Sequence, residues 1–430
     1  MDLKLPQTTQ KRIVIIGGGF AGINVALKLK DSDFQIVLLD KHNYHTFQPL
    51  LYQVATGGLE PTSIAYPLRK LIKKLPGVFF RLATVEQVST AEKTIKTDLG
   101  DLTYDILVIA TGSTTNFFNL PEESTSKMKT LKSIPQALDL RSYILENFES
   151  ALLENNLEHK QALMNIAIVG GGPTGVEMAG AIGEMKNHML PGDYKELNLK
   201  KMQVHLFEAA DTLLGPMSKD SQKRALEYLA DFGVVIHLNT AVKSYKNGEL
   251  IYGDDETLMT ETVIWTAGVK GASIPGLPLE SYMPNSRLKV NEYNQVNGLE
   301  DVYALGDLAF MPTDDFPRGH PMVAPVAIQQ GELFAKNIER KFKGSPLKEF
   351  KYLDKGSMAT VGRNRAVVDF PGEKVKLGGF IAFIAWMVVH LMSLVGFRNK
   401  LIVLTGWLYN YMNYDRVLRL IIRPSKSKQN

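Results

Sequence analysis

The 430-residue chain contains no cysteine. It therefore forms no disulfide, offers no thiolate to a metal and cannot pass electrons through a thiol pair. An excess of charge of one sign is also lacking, because 49 basic and 45 acidic residues leave a formal net charge of +4. So small a net charge gives no reason to expect nucleic acid as a partner. With 45% hydrophobic residues, the chain is long enough to bury a large core in two or three domains.

Two glycine motifs of the form G-x-G-x-x-G lie far apart in the sequence. The first occupies residues 17–22 after the apolar run 13–16, and the second occupies residues 170–175 after the apolar run 166–169. Between a buried strand and a helix, such glycines allow a tight turn and let a pyrophosphate approach the N–H groups at the helix N-terminus. The alternative is a pair of tight turns that bind no ligand. Two copies predict two dinucleotides, and hence electron transfer between two carriers.

The duplication extends beyond the glycines. Each motif is followed by a strand that ends in an acidic residue, Asp40 or Glu208, which is expected to hold a ribose. The second spacing is longer, so we expect a loop or extended helix around residues 188–200. Each unit then closes with a turn of small residues, at 110–112 and at 266–268. The repeat predicts an α/β fold with two Rossmann-like dinucleotide-binding domains.

These residues resemble those of the flavoproteins with two dinucleotide-binding domains, and in particular the type II NADH:quinone oxidoreductases. The resemblance covers essentially the whole chain and is carried by residues 43–53, 172–177, 265–269, 303–307 and 324–330, together with an apolar C-terminal tail. The glycine motifs alone identify only the superfamily, whereas the glutamine pair and the tail indicate the quinone-reducing branch. Disulfide reductases and sulfide:quinone oxidoreductases share the glycine pattern but need cysteines, so the absence of cysteine excludes both.

The resemblance implies a glutathione-reductase-like flavoprotein with a C-terminal amphipathic helical membrane anchor. It places a discontinuous FAD-binding domain at residues 1–115 and 285–375, an NADH-binding domain at 116–284 and anchoring helices at 376–430. It also implies the activity: hydride passes from NADH to non-covalent FAD, and two electrons then pass to a membrane quinone (menaquinone or ubiquinone). No proton pumping and no metal centre are expected.

The resemblance also implies site residues. Those expected at FAD follow strand ends or precede helices: Gly17, Gly19, Phe20, Ala21, Gly22, Asp40, Lys41, Thr46, Gln48, Ala110, Thr111, Gly112, Gly306, Asp307 and Ala327. Those expected at NADH belong to the second unit: Gly170, Gly172, Pro173, Thr174, Gly175, Glu177, Glu208, Ala267 and Gly268. For Thr46 and Gln48, core packing explains the segment equally well. For Asp307, the alternative is an ordinary Gly-Asp turn.

The predictions of the electron donor and of the catalytic groups depend on fewer residues. A carboxylate at Glu208 favours NADH, because it pairs with a 2′-hydroxyl and repels a 2′-phosphate. Glu177 is expected near the nicotinamide and flavin rings; the alternative is an acidic residue favoured by the helix dipole. Gln329 and Gln330 are expected beside the flavin at the quinone pocket, although glutamines near a helix start, with a helix predicted over 331–341, are usually only solvated. Lys376 matches a family lysine near the quinone entrance.

The C-terminal tail is apolar but broken. Residues 380–395 are almost uncharged, yet this run is short of the ~20 residues that span a bilayer. A second stretch over 401–422 is interspersed with Arg416, Arg419 and Arg423. These features predict two helices lying in the membrane interface, with the basic groups meeting lipid phosphates. A dimer interface is the alternative, and both roles are compatible. His390 is expected to be packed or interfacial rather than a ligand.

The overall prediction is a monotopic homodimeric enzyme on the cytoplasmic face of the cell (inner) membrane. Its partners are a quinone and the lipid surface. Two alternatives remain. A soluble NAD(P)H-dependent reductase of a protein electron carrier would share both glycine units but would have no use for the tail. A non-enzymatic redox-sensing flavoprotein would keep FAD but turn over slowly with every acceptor.

Overall fold

The computed structural model describes residues 3–373, 375–413 and 418–423. The chain divides into two compact units, each assembled from three separate segments. The first comprises Met1–Thr46, Tyr66–Thr114 and Val269–Asp354, and the second comprises Phe47–Ala65, Thr115–Gly268 and Lys355–Asn430.

The strands, in chain order, are β1 (Arg12–Ile16), β2 (Gln35–Asp40), β3 (Tyr44–Thr46), β4 (Ala65–Pro67), β5 (Val78–Leu82), β6 (Val85–Ser89), β7 (Thr94–Thr97), β8 (Gly100–Thr103), β9 (Ile106–Ile109), β10 (Ser113–Thr115), β11 (Lys129–Thr130), β12 (Ile166–Val169), β13 (Val204–Phe207), β14 (Val234–His237), β15 (Val242–Lys246), β16 (Glu249–Tyr252), β17 (Glu256–Met259), β18 (Thr262–Trp265), β19 (Val269–Gly271), β20 (Leu288–Lys289), β21 (Val302–Ala304), β22 (Ala309–Phe310), β23 (Ser357–Thr360), β24 (Ala366–Asp369) and β25 (Lys376–Gly378).

The α-helices are α1 (Phe20–Lys28), α2 (Leu51–Ala55), α3 (Pro61–Ile64), α4 (Leu68–Ile72), α5 (Glu122–Thr125), α6 (Ile134–Leu153), α7 (Leu157–Met164), α8 (Pro173–Glu184), α9 (Leu190–Asp193), α10 (Lys219–Asp231), α11 (Ala324–Phe342), α12 (Gly379–Ser393) and α13 (Phe397–Asn413). Short 3₁₀ turns occur at Gln48–Leu50, Leu279–Ser281, Gly306–Leu308 and Pro371–Glu373.

A parallel sheet of order β21-β9-β1-β2-β5 forms the centre of the first unit. Strands β1 and β9 are buried along almost their whole length, as expected of parallel strands covered on both faces. Helices α1 and α11 pack on one face. The other face is covered by the antiparallel sheet β6-β7-β8, through Val88, Ile95 and Leu102.

The second unit repeats this arrangement around a parallel sheet of order β11-β18-β12-β13-β14. Helices α8 and α10 contact its strands. The antiparallel sheet β15-β16-β17 packs against the sheet through Tyr245 and Leu250. The prediction of an α/β fold with two Rossmann-like units is therefore confirmed.

Helix α8 does not end at its last α-helical residue. It continues through a π-helical turn, Met185–Met189, into α9. This extension lies in the long interval between the second glycine motif and Glu208, where the sequence required a loop or an extended helix. Insertions of this kind in a helix often lie at functional sites.

The C-terminal segment is part of the second unit. An antiparallel sheet β23-β24-β25 precedes α12. The buried carboxylate of Asp369 in β24 accepts hydrogen bonds from the amide and hydroxyl of Ser218 and from the Ser221 hydroxyl, at 2.6–2.9 Å. This anchors β24 to the start of α10. The amide of Asn399 in α13 donates to the Ala65 carbonyl at 2.8 Å.

The compact units differ from the expected domain bounds in four segments. Residues 47–65 and 355–375 cluster with the second unit, and residues 269–284 cluster with the first. Residues 376–430 also belong to the second unit instead of standing apart. Which dinucleotide each unit binds remains a proposal.

Two predictions about helices were wrong in part. Helix α11 begins at Ala324 and not at residue 331, so both glutamines lie within it. The second apolar stretch is helical only over Phe397–Asn413, and residues 418–423 are not helical. Arg416 lies outside the described residues. No helix among the described residues has the length and apolar character needed to cross a membrane.

Candidate functional site

The first glycine motif forms a tight loop between β1 and α1. Gly17 has φ +106°, a conformation that residues with a side chain rarely adopt, and a Cβ there would collide with the carbonyl of Ala110. A Cβ at Gly22 would collide with the carbonyl of Gly17. Glycine is therefore required at both positions by the packing of the loop, independently of any ligand.

The second motif repeats this geometry between β12 and α8. Gly170 has φ +111°, and a Cβ there would collide with the backbone of Ala267. A Cβ at Gly175 would collide with the carbonyl of Gly170. The duplication inferred from the sequence therefore extends to individual backbone contacts.

The second glycine of each G-x-G-x-x-G motif is different. A Cβ added at Gly19 or at Gly172 would meet no atom within 4 Å. Their φ angles, −72° and −74°, are open to any residue. Neither packing nor backbone conformation requires glycine here, yet each residue is the N-cap of a helix that begins beside open space. A pyrophosphate at this place would explain both glycines, because it needs close approach to the backbone and the N–H groups of the helix N-terminus.

Acidic residues close both loops in the same way. The Oδ2 atom of Asp40 accepts a hydrogen bond from the Gly18 amide at 2.6 Å. The Oε2 atom of Glu208 accepts one from the Gly171 amide, also at 2.6 Å. Each carboxylate lies at or just beyond the end of the strand after its glycine motif, where the sequence placed it. Ribose binding by either residue remains a prediction.

The first unit gathers the residues expected at FAD, with one exception. Strands β1, β2, β9 and β21 are parallel and end at the same edge of the sheet. The glycine loop, Asp40, the turn at residues 110–112 and the turn at 306–307 follow these ends. Gln48 is the exception, because it belongs to the second unit.

The Gly306–Asp307 turn is held from two sides. Gln330 is 1% exposed, and its Oε1 atom accepts a hydrogen bond from the Gly306 amide at 2.7 Å. The Ser113 hydroxyl donates to Asp307. A Cβ at Gly306 would press against the Cβ of Ala327 at 3.2 Å. Gln330 therefore positions a turn of the predicted FAD site.

Gln329 has a different environment. Its Nε2 atom donates to the Leu353 carbonyl, and its Oε1 atom accepts from the Leu353 amide, both at 2.9 Å. Both ends of the amide are thus bonded to the backbone of the segment after α11. The role predicted for Gln329 at a quinone is untested, and it would require these bonds to be shared or exchanged.

Glu177 is buried in α8, with 8% of its surface exposed. Burial raises the pKa of Glu177 to about 8, against smaller lowering effects from the Thr360 backbone and the Trp386 side chain. The alternative, an acidic residue in the first turn of the helix favoured by the helix dipole, does not describe this carboxyl, because the first turn of α8 holds no acidic residue. A carboxyl that holds its proton near neutral pH is suited to proton transfer.

An apolar cavity lies within the second unit, and we name it the Trp386–Trp407 cavity. It has about 840 Å³ of space that no atom fills, a figure that includes its open mouth. The walls of the cavity come from α2, from α8 together with the π-helical turn that extends it, and from β23, α12 and α13. The lining residues are Tyr52, Gln53, Gly58, Ala181, Glu184, Met185, His188, Met189, Thr360, Gly362, Arg363, Phe383, Trp386, Met387, Trp407, Asn410 and Tyr411.

Polar groups in this cavity are bonded to one another. The Trp407 Nε1 atom donates to Gln53 Oε1 at 2.7 Å, and Gln53 Nε2 donates to the Tyr52 hydroxyl oxygen at 2.8 Å. The Arg363 guanidinium lies 4.1 Å above the ring of Tyr411. The cavity is therefore mainly aromatic and apolar with a few fixed polar groups, as is typical of sites for flat organic ligands.

Sequence reasoning missed the cavity. The segment 43–53 was singled out for the flavin, yet Tyr52 and Gln53 line this cavity. The apolar tail was interpreted as a lipid-facing surface, yet Trp386 and Trp407 are 1% and 8% exposed. The available signal was the occurrence of two of the three tryptophans in the tail. Lys376 lies exposed in β25 and is not among the lining residues.

The outer surface of the tail is apolar along two stripes. Ile381, Ile384, Val388 and Met392 follow one face of α12, and Phe397, Leu401, Leu408 and Met412 follow one face of α13; all are exposed.

Two of the arginines expected to meet lipid phosphates are instead paired within the unit. Arg419 bonds to Asp193, and Arg423 bonds to Asp139 and Glu146. That part of the prediction was wrong.

Comparison with family models shows the class of protein to which the chain belongs. The family model of the pyridine nucleotide-disulphide oxidoreductases matches residues 11–331, and the chain belongs to that family. The model described as the NDH2 C-terminal domain matches residues 355–413. Because the chain has no cysteine, it carries the dinucleotide-binding framework of the first family without a disulphide.

Curated relatives narrow the class. A type II NADH:quinone oxidoreductase of Mycobacterium tuberculosis is 35% identical over 94% of this chain and 89% of its own length. One of Staphylococcus aureus is 27% identical over 83% of this chain and 89% of its own length. The chain belongs to the type II NADH:quinone oxidoreductases. This confirms the predicted family and enzyme class, and with them a flavoprotein that uses FAD and NADH.

Solved structures agree on the fold. NDH2 from Plasmodium falciparum, in complex with NADH, superposes with a TM-score of 0.87 at 20% identity, covering 96% of this chain and all of the other. The sulfide:quinone oxidoreductase of Aquifex aeolicus superposes with a TM-score of 0.71 at 20% identity, covering 96% of each chain. At this level of identity, both superpositions show a shared fold only.

Proposed function

We propose that this chain is an FAD-dependent respiratory NADH dehydrogenase that transfers hydride from NADH to FAD and two electrons to a membrane quinone, without pumping protons. The observation that carries the dinucleotide half is the duplicated loop with open space at Gly19 and Gly172. Balanced, the reaction converts NADH, a proton and a quinone into NAD⁺ and a quinol. Bound FAD supplies the two-electron chemistry, and the residues of the chain bind and orient the reactants.

The first unit is assigned to FAD and the second to NADH. The Gly306–Asp307 turn supports the first assignment, because it joins the same sheet edge as the first glycine loop. The carboxylate of Glu208 supports NADH over NADPH, since a 2′-phosphate beside it would be repelled. Residues 209–211 after it are Ala-Ala-Asp and contain no cation to offset that repulsion.

The Trp386–Trp407 cavity is assigned to the quinone ring. Flat aromatic walls favour a flat ring by stacking, and the second N–H of the Gln53 amide would offer a neutral donor to a carbonyl. Glu177 is assigned as the donor of the proton that reduction of the quinone to the quinol requires. Its buried carboxyl is one helical turn before Ala181, which lines the cavity. Which quinone is used is left to the experiment.

The membrane is assigned to the stripes on α12 and α13. An exposed apolar surface of this size on two successive helices is typical of a contact with lipid or another protein. Arg398 and Lys400 lie in the first turn of α13, close to the stripes, where they would face lipid phosphates. These charges favour a lipid surface, on the cytoplasmic side. A homodimer formed through part of the same face is compatible with this assignment.

The test is steady-state oxidation of NADH, and separately of NADPH, by detergent-purified protein with and without a soluble quinone. We expect rapid NADH consumption that requires quinone, and slow consumption of NADPH. Fast reduction of the bound flavin by NADH without quinone turnover would overturn the acceptor half. It would favour the reductase of a protein electron carrier.

A further inference from the structure

His45 in β3 bonds directly to the first glycine loop. The residue is 2% exposed, and its Nδ1 atom lies 3.0 Å from the carbonyl oxygen of Gly18. Because a carbonyl only accepts, Nδ1 carries the proton and donates this hydrogen bond. Burial lowers the pKa of His45, against smaller raising effects of that carbonyl and of Asp40, so the ring is neutral at neutral pH. The loop therefore meets a neutral imidazole with its proton on Nδ1.

Gly18 is held at both ends of its backbone. Its amide donates to Asp40 Oδ2 at 2.6 Å, and its carbonyl accepts from His45. A Cβ at Gly18 would lie 2.8 Å from a methyl group of Leu68, so the residue is closely packed as well as bonded. The first loop is thus fixed at this residue by two side chains, of which the sequence indicated only Asp40.

The bond from His45 also sets the direction of the next N–H group. The Gly18 carbonyl and the Gly19 N–H belong to one trans peptide, in which they point in opposite directions. Gly18 is buried and Gly19 is exposed, so holding the carbonyl towards His45 turns this N–H outward. Within the part of the chain that the structure describes, the Gly19 N–H donates to no residue. It is therefore available to a ligand at the N-terminus of α1, where a Cβ at Gly19 would meet open space.

The ring of His45 is also packed against the start of α1. The Phe20 ring meets it edge-on, with centroids 5.0 Å apart and planes at 86°. Phe20 is the first residue of α1 and directly follows the N-cap Gly19. His45 thus contacts the residues on both sides of Gly19, one through a hydrogen bond and the other through its ring. A change of this side chain acts at the place where a pyrophosphate would bind.

The second glycine loop has the same arrangement without a histidine. The Gly171 amide donates to Glu208, as the Gly18 amide donates to Asp40. The Gly171 carbonyl accepts from the backbone amide of Leu214 at 2.8 Å. The peptide before the second glycine is therefore held by its carbonyl in both units, which indicates that its orientation matters to the loop. In the first loop the donor is a side chain, and a substitution can remove it.

We propose that His45 is a positioning residue for FAD: by donating to the Gly18 carbonyl, it holds the Gly19 N–H towards the pyrophosphate. Its contribution is to the geometry of binding. The proposal rests on the proposed assignment of FAD to the first unit, whereas the bond between His45 and Gly18 does not depend on that assignment.

The test compares His45→Phe with His45→Asn. Phenylalanine keeps a ring against Phe20 but has no donor, whereas asparagine loses the ring and keeps an N–H at the position of Nδ1. The readout is the rate at which the full-length, FAD-loaded enzyme releases FAD, followed by the rise in free flavin fluorescence. We expect His45→Phe to release FAD about tenfold faster than the wild type, which is equivalent to ~1.4 kcal/mol and typical of one hydrogen bond. His45→Asn should stay within about threefold of the wild type, because the bond remains.

A structural role alone predicts the opposite order, because asparagine leaves a larger void than phenylalanine in a buried site. Release of FAD from His45→Asn as fast as from His45→Phe, or faster, therefore overturns the proposal. The control is His205→Phe, which makes the same change at a buried histidine of the second unit. It should release FAD at the wild-type rate, although it also loses hydrogen bonds.

A second measurement does not depend on the folding of His45→Phe. NMR of the wild-type enzyme with isotope-labelled histidine nitrogens, assigned with His45→Asn, locates the proton on the His45 ring. We expect it on Nδ1. A neutral ring with its proton on Nε2 could not donate to the Gly18 carbonyl from Nδ1 and overturns the proposal.

Kinetics with NADH separate the failure of this proposal from that of the proposed function. With FAD in the first unit, the KM for NADH should be unchanged in FAD-saturated His45→Phe. If the first unit binds NADH instead, FAD release stays unchanged while the KM for NADH rises in His45→Phe and not in His45→Asn; this result overturns the assignment of the units and, with it, the role of His45 at FAD. If FAD release and the KM for NADH are both unchanged, His45 has no positioning role at either dinucleotide.

Discussion

Glu208 accepts a hydrogen bond from the amide of Gly171 through Oε2 at 2.6 Å, and its Oε1 atom accepts one from the Ala210 amide at 2.8 Å. Both oxygens are therefore engaged by the protein. A carboxylate has about four acceptor sites, so a ribose hydroxyl can be added without breaking either bond. The carboxylate is therefore held by the backbone, and in the proposed NADH site its charge would repel a 2′-phosphate.

Replacing the second glycine of each G-x-G-x-x-G motif separates the two proposed dinucleotide sites. Gly19→Ala meets no atom of the chain and should fold normally, but its methyl group would occupy the space assigned to a pyrophosphate. We expect the purified variant to lose FAD, and Gly172→Ala to keep FAD while its KM for NADH rises on the order of tenfold. Flavin absorbance and NADH kinetics measure the two effects.

The matched control for the glycine variants is Gly192→Ala, which also meets no atom within 4 Å and lies in α9. It should retain FAD and wild-type kinetics. Loss of FAD from Gly172→Ala but not from Gly19→Ala would reverse the assignment of the two units.

Filling the Trp386–Trp407 cavity should impair the reaction with quinone only. Met387→Trp adds bulk to the cavity wall, and overpacking of this kind costs ~1–3 kcal/mol. We expect the KM for a soluble quinone to rise on the order of tenfold while reduction of the flavin by NADH is unchanged. Met392→Trp introduces the same change on the exposed face of α12 and should behave as the wild type. Equal quinone kinetics in both variants would argue against the cavity.

The buried acid should make the fold less stable at high pH. In the folded state the pKa of Glu177 is about 8, against 4.5 for an ordinary glutamic acid. The folded state therefore holds more protons than the unfolded state between these values, and stability falls as pH rises through this window. Glu177→Gln should raise Tm above pH 8 relative to the wild type and change it little near pH 4.5. Calorimetry at several pH values, with exposed Glu158→Gln as the control, measures this; a difference independent of pH contradicts it.

The second unit should be sensitive to acid through a histidine pair. His205 on β13 lies 3.0 Å from His237 on β14, between Nδ1 and Nε2, and its own Nε2 lies 3.1 Å from Gln203 Oε1. Burial, with a smaller effect of His237, lowers the pKa of His205 to about 4, from 6.5. The unfolded chain thus binds more protons between pH 6.5 and 4, and stability falls as pH drops through that range.

His205→Phe removes this titration and keeps a ring in the stack with Phe207. The variant should lose less Tm than the wild type between pH 7 and pH 4.5, although it starts lower because two hydrogen bonds are gone. Exposed His159→Phe is the control. Parallel Tm curves for the wild type and His205→Phe would rule out the pair as a source of acid sensitivity.

Charge on the apolar stripe should release the protein from lipid. Ile381→Glu combined with Val388→Glu places two carboxylates on the exposed face of α12. Each loses the ~1.5–3 kcal/mol of burying its side chain, so binding to anionic vesicles should fall by at least about a hundredfold. Leu153→Glu changes an even more exposed leucine at the end of α6 and should bind as the wild type does. Sedimentation with vesicles measures binding, and sedimentation velocity shows whether the face also holds a dimer.

The fold and the dinucleotide loops were predictable because their requirements are local. Gly17 and Gly170 need positive φ, and Asp40 and Glu208 follow strands whose apolar pattern is plain in the sequence.

The cavity was not predictable in this way. Tyr52, Arg363 and Trp407 come from three distant segments, and nothing in their local sequence indicates that they meet. The burial of Trp386 was hidden for a similar reason, since an apolar helix gives the same sequence signal whether it faces lipid or protein.

The partners of two arginines in the tail were wrongly predicted for a related reason. Arg419 and Arg423 stand among apolar residues, which is the pattern of a lipid-facing helix. Their partners, Asp193 and Glu146, lie more than two hundred positions earlier in the chain. Pairing over such a separation depends on the completed unit and leaves no periodic trace.

The sheet order of the first unit has a consequence for synthesis on the ribosome. Strands β1 and β9 emerge before residues 115–268, but β21, the outer neighbour of β9, emerges only after the whole of that segment. The nascent chain must therefore carry an unfinished sheet, with the β9 edge unpaired, for most of translation. Open strand edges of this kind are prone to wrong pairing, and late closure of distant strands is slow. Expression yield should thus depend on translation speed and on chaperones more strongly than the stability of the finished enzyme would suggest.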